Sequence, residues 1–216
     1  MRTLFLLNPT AGKADCTRTL PQQINAAAAR AGLAPEEYTI QVTNHAGHAR
    51  ELANAAAQQA RQSGEELRVF TAGGDGTFNE TLAGILESGL NTPIGYIPAG
   101  STNDFASSLK LSSDILEATQ DIILGTPVAY DAGKFGQRYF SYVASFGAFT
   151  RTSYATPQNI KNALGHTAYV LSGITELSQI RKEHIKMIID GEEVEDDFLF
   201  GAICNSTSVG GILTLD

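Results

Sequence analysis

Five consecutive residues, Gly73-Gly74-Asp75-Gly76-Thr77, combine three glycines with a carboxylate and a hydroxyl. They fall between a short apolar run, Leu67-Arg68-Val69-Phe70, and a helical pattern from Phe78 to Leu86. A strand-to-helix turn of this composition suits a phosphate. Glycine lets the backbone approach with no Cβ in the way, and the helix start offers N–H donors at a positive dipole end. A lone glycine turn can also be no more than a tight connection. Asp75 weighs on the chemical side, because a carboxylate beside a phosphate repels it unless a metal ion or a substrate hydroxyl intervenes. The chemistry expected is phosphate handling with Mg²⁺.

Two other turns carry polar groups of the same kind. In Pro98-Ala99-Gly100-Ser101-Thr102-Asn103-Asp104-Phe105, Ser101 or Thr102 could cap a following helix, but capping does not account for all the polar residues together. Asn8-Pro9-Thr10-Ala11-Gly12-Lys13 is superficially similar to a Walker loop. It lacks the earlier glycine, however, and has Ala14 where Ser or Thr is required.

The elements that must position these turns alternate through the first half. Apolar runs at Leu4 to Leu7, Tyr38 to Val42, Leu67 to Thr71 and Pro93 to Ile97 read as strands. Helical patterns lie between them, from about Thr17 to Ala31, from His45 to about Gln62, and from Phe78 to Leu86. Such alternation implies right-handed βαβ units and a parallel sheet. The polar turns at Asn8, Thr43, Gly73 and Gly100 all follow strands. They should therefore line the carboxyl edge of the sheet, where ligands gather in this architecture. The pattern changes near Leu124-Gly125-Thr126-Pro127, which places a boundary between an α/β domain, 1–125, and a β-rich domain, 126–216. In the second part, Val128 to Phe135 and Arg138 to Phe146 read as a hairpin. A helix is expected from about Gly165 to Gln179. Glu183 to Ile189, the turn Asp190-Gly191 and Phe198 to Cys204 read as a second hairpin.

The 216 residues are 43% hydrophobic and 18% charged, enough for a substantial core in one large domain or two small ones. A formal net charge of −8 disfavours nonspecific nucleic-acid binding and gives no general attraction to anionic membranes. Cys16 and Cys204 match no metal spacing and read as free thiols, for which a reducing cytoplasm is the simplest setting. No apolar run approaches the roughly 18 residues of a membrane span. Met1 to Leu7 reads as a buried strand rather than a signal peptide.

Together the three turns resemble those of the bacterial diacylglycerol kinase-like lipid kinases, a family related to the eukaryotic diacylglycerol and sphingoid-base kinases. Asn8-Pro9-Thr10-Ala11-Gly12 looks like the family's N-P-x-x-G turn. Residues Gly73 to Glu80 look like its G-G-D-G-T-x-N-E loop, and Pro98 to Ala106 like its P-x-G-T-x-N-D-F-A loop. Gly210-Gly211 resembles a later glycine pair. The resemblance implies an N-terminal doubly wound parallel-sheet domain that binds ATP, followed by a β-sandwich domain, here incomplete, that helps form a lipid site. It also implies that ATP lies over Asn8, Pro9, Thr10, Ala11 and Gly12, over Thr43, over Gly73, Gly74, Asp75, Gly76, Thr77, Phe78, Asn79 and Glu80, and over Ser101 and Asn103. Asp75 and Asp104 would face the phosphates and Mg²⁺ and serve catalysis. The implied acceptor is a diacylglycerol-like or sphingoid lipid, met by a cytoplasmic protein at a membrane surface. Ser101 departs from the usual threonine but keeps the hydroxyl. Family members generally continue past the equivalent of Asp216 with an acidic Mg²⁺ loop and a catalytic carboxylate. On that basis this chain is expected to be truncated and inactive, with an open strand edge at Gly211 to Leu215 that invites a homodimer. An NAD kinase-like phosphotransferase, disfavoured by Asn103-Asp104-Phe105, and a non-catalytic nucleotide- or lipid-binding regulator are the alternatives.

Weaker features remain. His45 and His48 could begin a metal site, but the sequence shows no third ligand, and a helix surface is the blander reading. Phe149, Tyr154 and Tyr169 could line a lipid pocket or pack a core. Arg181 to Lys186 is locally basic, either a solvated strand face or a membrane-facing patch. Glu192-Glu193 and Glu195-Asp196-Asp197 read as a solvated hairpin tip.

Overall fold

The structure, a computed structural model, describes residues 1–12, 18–148, 181–206, 208–209 and 213–214. Four strands, β1 (Arg2–Leu7), β2 (Tyr38–Val42), β3 (Leu67–Gly73) and β4 (Ile94–Pro98), form a parallel sheet in the order β2-β1-β3-β4. Helices α1 (Thr19–Arg30), α2 (His48–Ser63) and α3 (Asp75–Ser88) connect them. A short helix, α4 (Asp104–Ser108), and a longer one, α5 (Ile115–Leu124), follow β4.

Alternation along β1 explains the layers. Phe5 and Leu7 point to one face, where they meet Leu20, Ile24 and Ala28 of α1 and Ala118 and Ile123 of α5. Leu4 and Leu6 point to the other face, against Ala53, Ala57 and Ala60 of α2 and Ile85 of α3. Both faces of the central strands β1 and β3 are covered and largely apolar, as in parallel sheets, whereas edge strand β2 leaves Thr39 and Gln41 exposed. The expected doubly wound architecture is present.

Strand order has a direct consequence. From β1 the chain moves to β2 on one side, and from β3 it moves to β4 on the other. The topological switch point therefore lies between the carboxyl ends of β1 and β3, where open α/β sheets bind ligands.

Several boundaries differ from the sequence reading. Helix α3 starts at Asp75 rather than Phe78, because Gly74 is its extended N-cap residue and the glycine turn supplies the first helical turn. Helix α5 was not anticipated. Asp114 caps it, its side chain accepting the Glu117 amide at 2.9 Å.

Contacts divide the chain into one unit of Met1–Tyr142 with Asn205–Asp216 and a second of Val143–Cys204. The division falls later than the expected 125/126 boundary, and the first unit takes the chain back after Cys204. In the first unit a short hairpin pairs β5 (Gly133–Phe135) with β6 (Arg138–Phe140). Asn205 fastens the returning segment. Its amide donates to Tyr142 O at 2.7 Å, and its Nδ2 donates to Asp131 O and Ser141 O at 2.6 and 3.0 Å. Its carbonyl accepts the Tyr130 hydroxyl at 3.0 Å. Leu213–Thr214, expected to be an open edge, is β12 and pairs antiparallel with β11 (Ser208–Val209).

The second unit contains antiparallel pairs. Strand β8 (Glu183–Ile189) pairs with β9 (Glu192–Phe198), and β7 (Val143–Gly147) with β10 (Phe200–Cys204). Both expected hairpins form about their expected turns, Gly136-Gln137 and Asp190-Gly191, but with different strand limits. Val143 to Gly147 leaves the first hairpin for β10. The acidic stretch read as a solvated tip is itself strand β9, held to β8 by cross-strand pairs. Lys186 lies 2.6 Å from Glu193, and His184 lies 3.0 Å from both Glu195 and Asp197. The expected helix from Gly165 to Gln179 and the aromatics Phe149, Tyr154 and Tyr169 lie outside the described residues.

Candidate functional site

The four polar turns end at one edge of the sheet, as strand order requires. Asn8 follows β1 and its amide donates to Ala72 O of β3 at 2.9 Å. Thr43 follows β2 and its amide donates to Leu7 O at 2.7 Å. Ala99 follows β4 and its amide donates to Gly73 O at 2.8 Å.

Asn8 spans the switch point. Its Nδ2 donates to Thr77 Oγ1 at 3.0 Å, joining the end of β1 to the first turn of α3. Its Oδ1 accepts the amide and hydroxyl of Thr10 at 3.1 and 2.9 Å. Pro9 and Ala11 shape this turn, and Ala11 is buried. Gly12 ends it at φ 86°, with its α-hydrogen side against Ala99 O. A Cβ there would sit 2.7 Å from that oxygen. The turns after β3 and β4 approach equally closely. A Cβ on Gly100 would meet Gly74 Cα at 2.5 Å and Asn103 Oδ1 at 2.6 Å.

Asp75 joins these turns rather than standing open to solvent. Its Oδ2 accepts the Asp104 amide at 2.9 Å, and its Oδ1 accepts the Phe105 amide at 3.1 Å. The carboxylate thus caps the N-terminus of α4 across 29 residues of sequence. The Tyr96 hydroxyl, on β4, lies 3.2 Å from Asp75 Oδ1 and 3.2 Å from Asn103 Oδ1. Burial, reinforced by the charges of Asp75 and Asp104, pushes the Tyr96 phenol far above its ordinary value, so it stays a donor. Asn103 adopts a left-handed conformation at φ 52° and clasps Gly100 from both sides. Its Oδ1 accepts Gly100 N and its Nδ2 donates to Gly100 O, each at 2.9 Å. Asparagine tolerates that backbone region better than most residues.

The remaining expected residues divide by role. Gly74 precedes the first turn of α3 and Gly76 lies within it, where the opening amides have no partner within the helix and the dipole is positive. Ser101 is exposed at the same edge. Phe78 turns inward instead. It is buried against Tyr96 and Phe105, with ring centroids 4.8 and 5.2 Å away. Asn79 uses its Oδ1 to accept the amide and hydroxyl of Ser141, at 3.0 and 2.8 Å. Glu80 accepts the Gly47 amide at 2.9 Å. Sequence reasoning passed over Tyr96 and the clasp around Gly100. A tyrosine in an otherwise apolar strand, immediately before a polar turn, was the available signal, since a buried hydroxyl needs a partner.

The edge therefore consists of backbone amides and glycine faces, held in place by Asn8, Asp75, Tyr96 and Asn103. Two carboxylates, Asp75 and Asp104, adjoin it. Such an arrangement can bind phosphate oxygens through amides and a hard cation through carboxylates.

A doubly wound parallel α/β unit, with glycine-bearing turns converging at its switch point and antiparallel strands following, defines the structural class. The family model for the diacylglycerol kinase catalytic domain matches residues 2–135. The protein belongs to that family. It is 34% identical over 210 residues to a diacylglycerol kinase of Staphylococcus carnosus, covering 97% of this chain and 66% of the relative. It is also 34% identical over 211 residues to one of Staphylococcus saprophyticus, with the same coverage. The chain thus spans about two thirds of the length of these curated relatives. Its fold matches the crystal structure of a diacylglycerol kinase from Bacillus anthracis with a TM-score of 0.73 and 26% identity, over 99% of this chain and 67% of that one.

Proposed function

We propose that the protein is an ATP-dependent lipid kinase, transferring the γ-phosphoryl group to a hydroxyl of a diacylglycerol-like or sphingoid lipid. The observation that carries the reading is the convergence of the Asn8–Gly12, Gly73–Thr77 and Gly100–Asn103 turns at the switch point, in a chain of the diacylglycerol kinase catalytic domain family. The relatives named above support the choice of a lipid acceptor.

In this reading the ATP phosphates lie over Gly74, Gly76 and Thr77, where the first-turn amides of α3 meet their charge. Asn8, Thr10 and Gly12 border them from β1, Thr43 from β2, and Ser101 from β4. Asp75 and Asp104 fit Mg²⁺. They are hard oxygen donors on touching turns, and Mg²⁺ takes one or two carboxylates together with phosphate oxygens. When bound, the ion neutralises charge that builds up on the transferring phosphoryl group. Asp75 already accepts three donors, the Asp104 and Phe105 amides and the Tyr96 hydroxyl. Asp75 and Asp104 are the two carboxylates of this edge that are candidates to orient the acceptor hydroxyl. Such a protein works in the cytoplasm at the membrane surface where its lipid resides.

The test has two parts. Calorimetry of this chain with ATP should show binding strengthened by Mg²⁺. Incubation of the protein with labelled ATP and Mg²⁺ should then label diacylglycerols or sphingoid bases. Absence of ATP binding would overturn the nucleotide assignment. Labelling of NAD in place of every lipid would establish the alternative phosphotransferase.

A further inference from the structure

We infer that His45, His48 and Glu51 form a binding site for a divalent ion of the zinc and nickel class, distinct from the magnesium assignment above. One ligand atom from each residue lies within 4.8 Å of the others. Ligands about 2.1 Å from a tetrahedral ion stand about 3.4 Å apart, so the exposed side chains must rotate, and the stacked rings turn, to close on it.

The local chain explains the cluster. Gly47, at φ 86°, lets the segment double back into α2, and the His48 amide donates to His45 O at 3.2 Å. The two imidazoles are stacked, with centroids 4.5 Å apart and 24° between their planes. Glu51 follows His48 by three residues, so the helix places it on the same side. Its Oε2 lies 3.8 Å from His45 Nε2.

One ring nitrogen is oriented for ligation and the other must exchange a backbone partner for the ion. His45 Nδ1 lies 3.0 Å from Ala46 O, a carbonyl that can only accept. Nδ1 therefore carries the proton and Nε2 presents its lone pair toward Glu51. Metal-binding histidines are oriented by this kind of outer bond. His48 Nδ1 accepts the exposed Asn44 amide at 3.2 Å, so its lone pair is on Nδ1. An ion takes that lone pair in place of the Asn44 proton, and water takes over the amide. Two neutral imidazoles and a carboxylate favour zinc or nickel over magnesium, which prefers an all-oxygen shell. The side chains of His45 and Glu51 are 53% and 65% exposed, which leaves coordination positions open to solvent. An occupied site would pin the turn whose Gly47 amide holds Glu80. Without an ion, the three side chains are an ordinary solvent-exposed cluster at the start of α2, and the experiment separates the two.

The chain is stripped with chelator and titrated with zinc by calorimetry, and with cobalt while visible absorption is recorded. A Cys16→Ser/Cys204→Ser background removes competing thiols. One zinc ion should bind in the micromolar range in the presence of excess magnesium. His45→Ala and His48→Ala should each weaken it by roughly tenfold or more. Both side chains are at least partly exposed, so circular dichroism should remain unchanged. Should either variant fail to fold, the wild-type imidazole resonances decide, because zinc must shift those of His45 and His48 together. Undiminished zinc affinity in both variants, shifts confined to other histidines, or no binding below millimolar zinc would overturn the site.

Discussion

Replacing Asp75 with alanine should destabilise the first unit as well as weaken nucleotide binding. The carboxylate accepts two backbone amides, at 2.9 and 3.1 Å, and lies 3.2 Å from the Tyr96 hydroxyl. Hydrogen bonds to a charged group contribute about 1.5–3 kcal/mol each when intact. Asp75 is only half-buried, so water can re-satisfy part of what is lost. Loss of a helix-capping side chain alone typically costs ~1 kcal/mol and at most ~2. The expected loss is therefore about 2–4 kcal/mol. For a unit of this size that corresponds to a fall in melting temperature of roughly 5–15 °C. Asp75→Asn should not rescue it, because the new NH₂ group would replace an accepting oxygen and face one of the donors that oxygen had bound. Thermal denaturation followed by circular dichroism, with ATP calorimetry on the same samples, separates the two effects. A loss below about 1 kcal/mol would refute the anchoring argument and return Asp75 to a purely electrostatic role.

The glycines of the touching turns should behave differently from each other. Gly100→Ala drives a Cβ to 2.5 Å from Gly74 Cα, so it should cost about 1–3 kcal/mol and reduce ATP affinity. Gly74→Ala makes only a 3.4 Å contact, so the fold should survive while ATP affinity falls; unchanged affinity in calorimetry would displace the phosphates from this turn. Asn79→Ala removes both Ser141 bonds and should lower stability by about 1–2 kcal/mol in a denaturant melt. Lost ATP binding with unchanged stability would instead make Asn79 a nucleotide contact. In the β8–β9 hairpin, hydrogen bonds to Asp197 and then Glu195 raise His184 above its ordinary 6.5, and His184 lowers Asp197 below 3.8. The His184 contribution is complete below pH 6.5 and disappears as pH rises through its raised value. The Asp197 contribution is present above pH 3.8 and disappears as pH falls through its lowered value. NMR titration should therefore find His184 titrating above 6.5, and a midpoint at or below 6.5 would dismiss the pairing.

The sheet was legible because its signals are local. Strands β1 to β4 are apolar runs closed by polar turns, and β2 was read with its observed limits, Tyr38–Val42. The convergence of the turns also followed, since parallel strands must end together. The uses of the side chains did not follow. Asp75 caps a helix that begins 29 residues later, and Asn79 meets Ser141 across 62 residues. No local pattern encodes those distances. Strand β9 was missed for a related reason. Its Glu192–Phe198 sequence is mostly acidic and solvent-exposed, and the ladder to β8, with Lys182, His184 and Lys186 facing its carboxylates, is not visible within that segment. Helix α5 was missed despite an available local signal, Asp114 three residues before Glu117 and ahead of an apolar run.

The way the first unit is interrupted at Tyr142 and resumed at Asn205 sets an order of assembly. During synthesis, β1 to α5 can close their core before Asn205 has left the ribosome. The latch that Asn205 makes with Asp131, Ser141 and Tyr142 must wait for the chain to return after residue 204, and bringing such distant segments together costs entropy. The antiparallel pairing of β7 and β10 meets that cost elsewhere, because its register sets Val143 opposite Cys204. Each of these residues is the immediate neighbour of one end of the latch. Once those two strands zip, Tyr142 and Asn205 are already side by side and the last segment docks almost without further search. Weakening the β7–β10 ladder should thus slow completion of the first unit, although neither strand belongs to it.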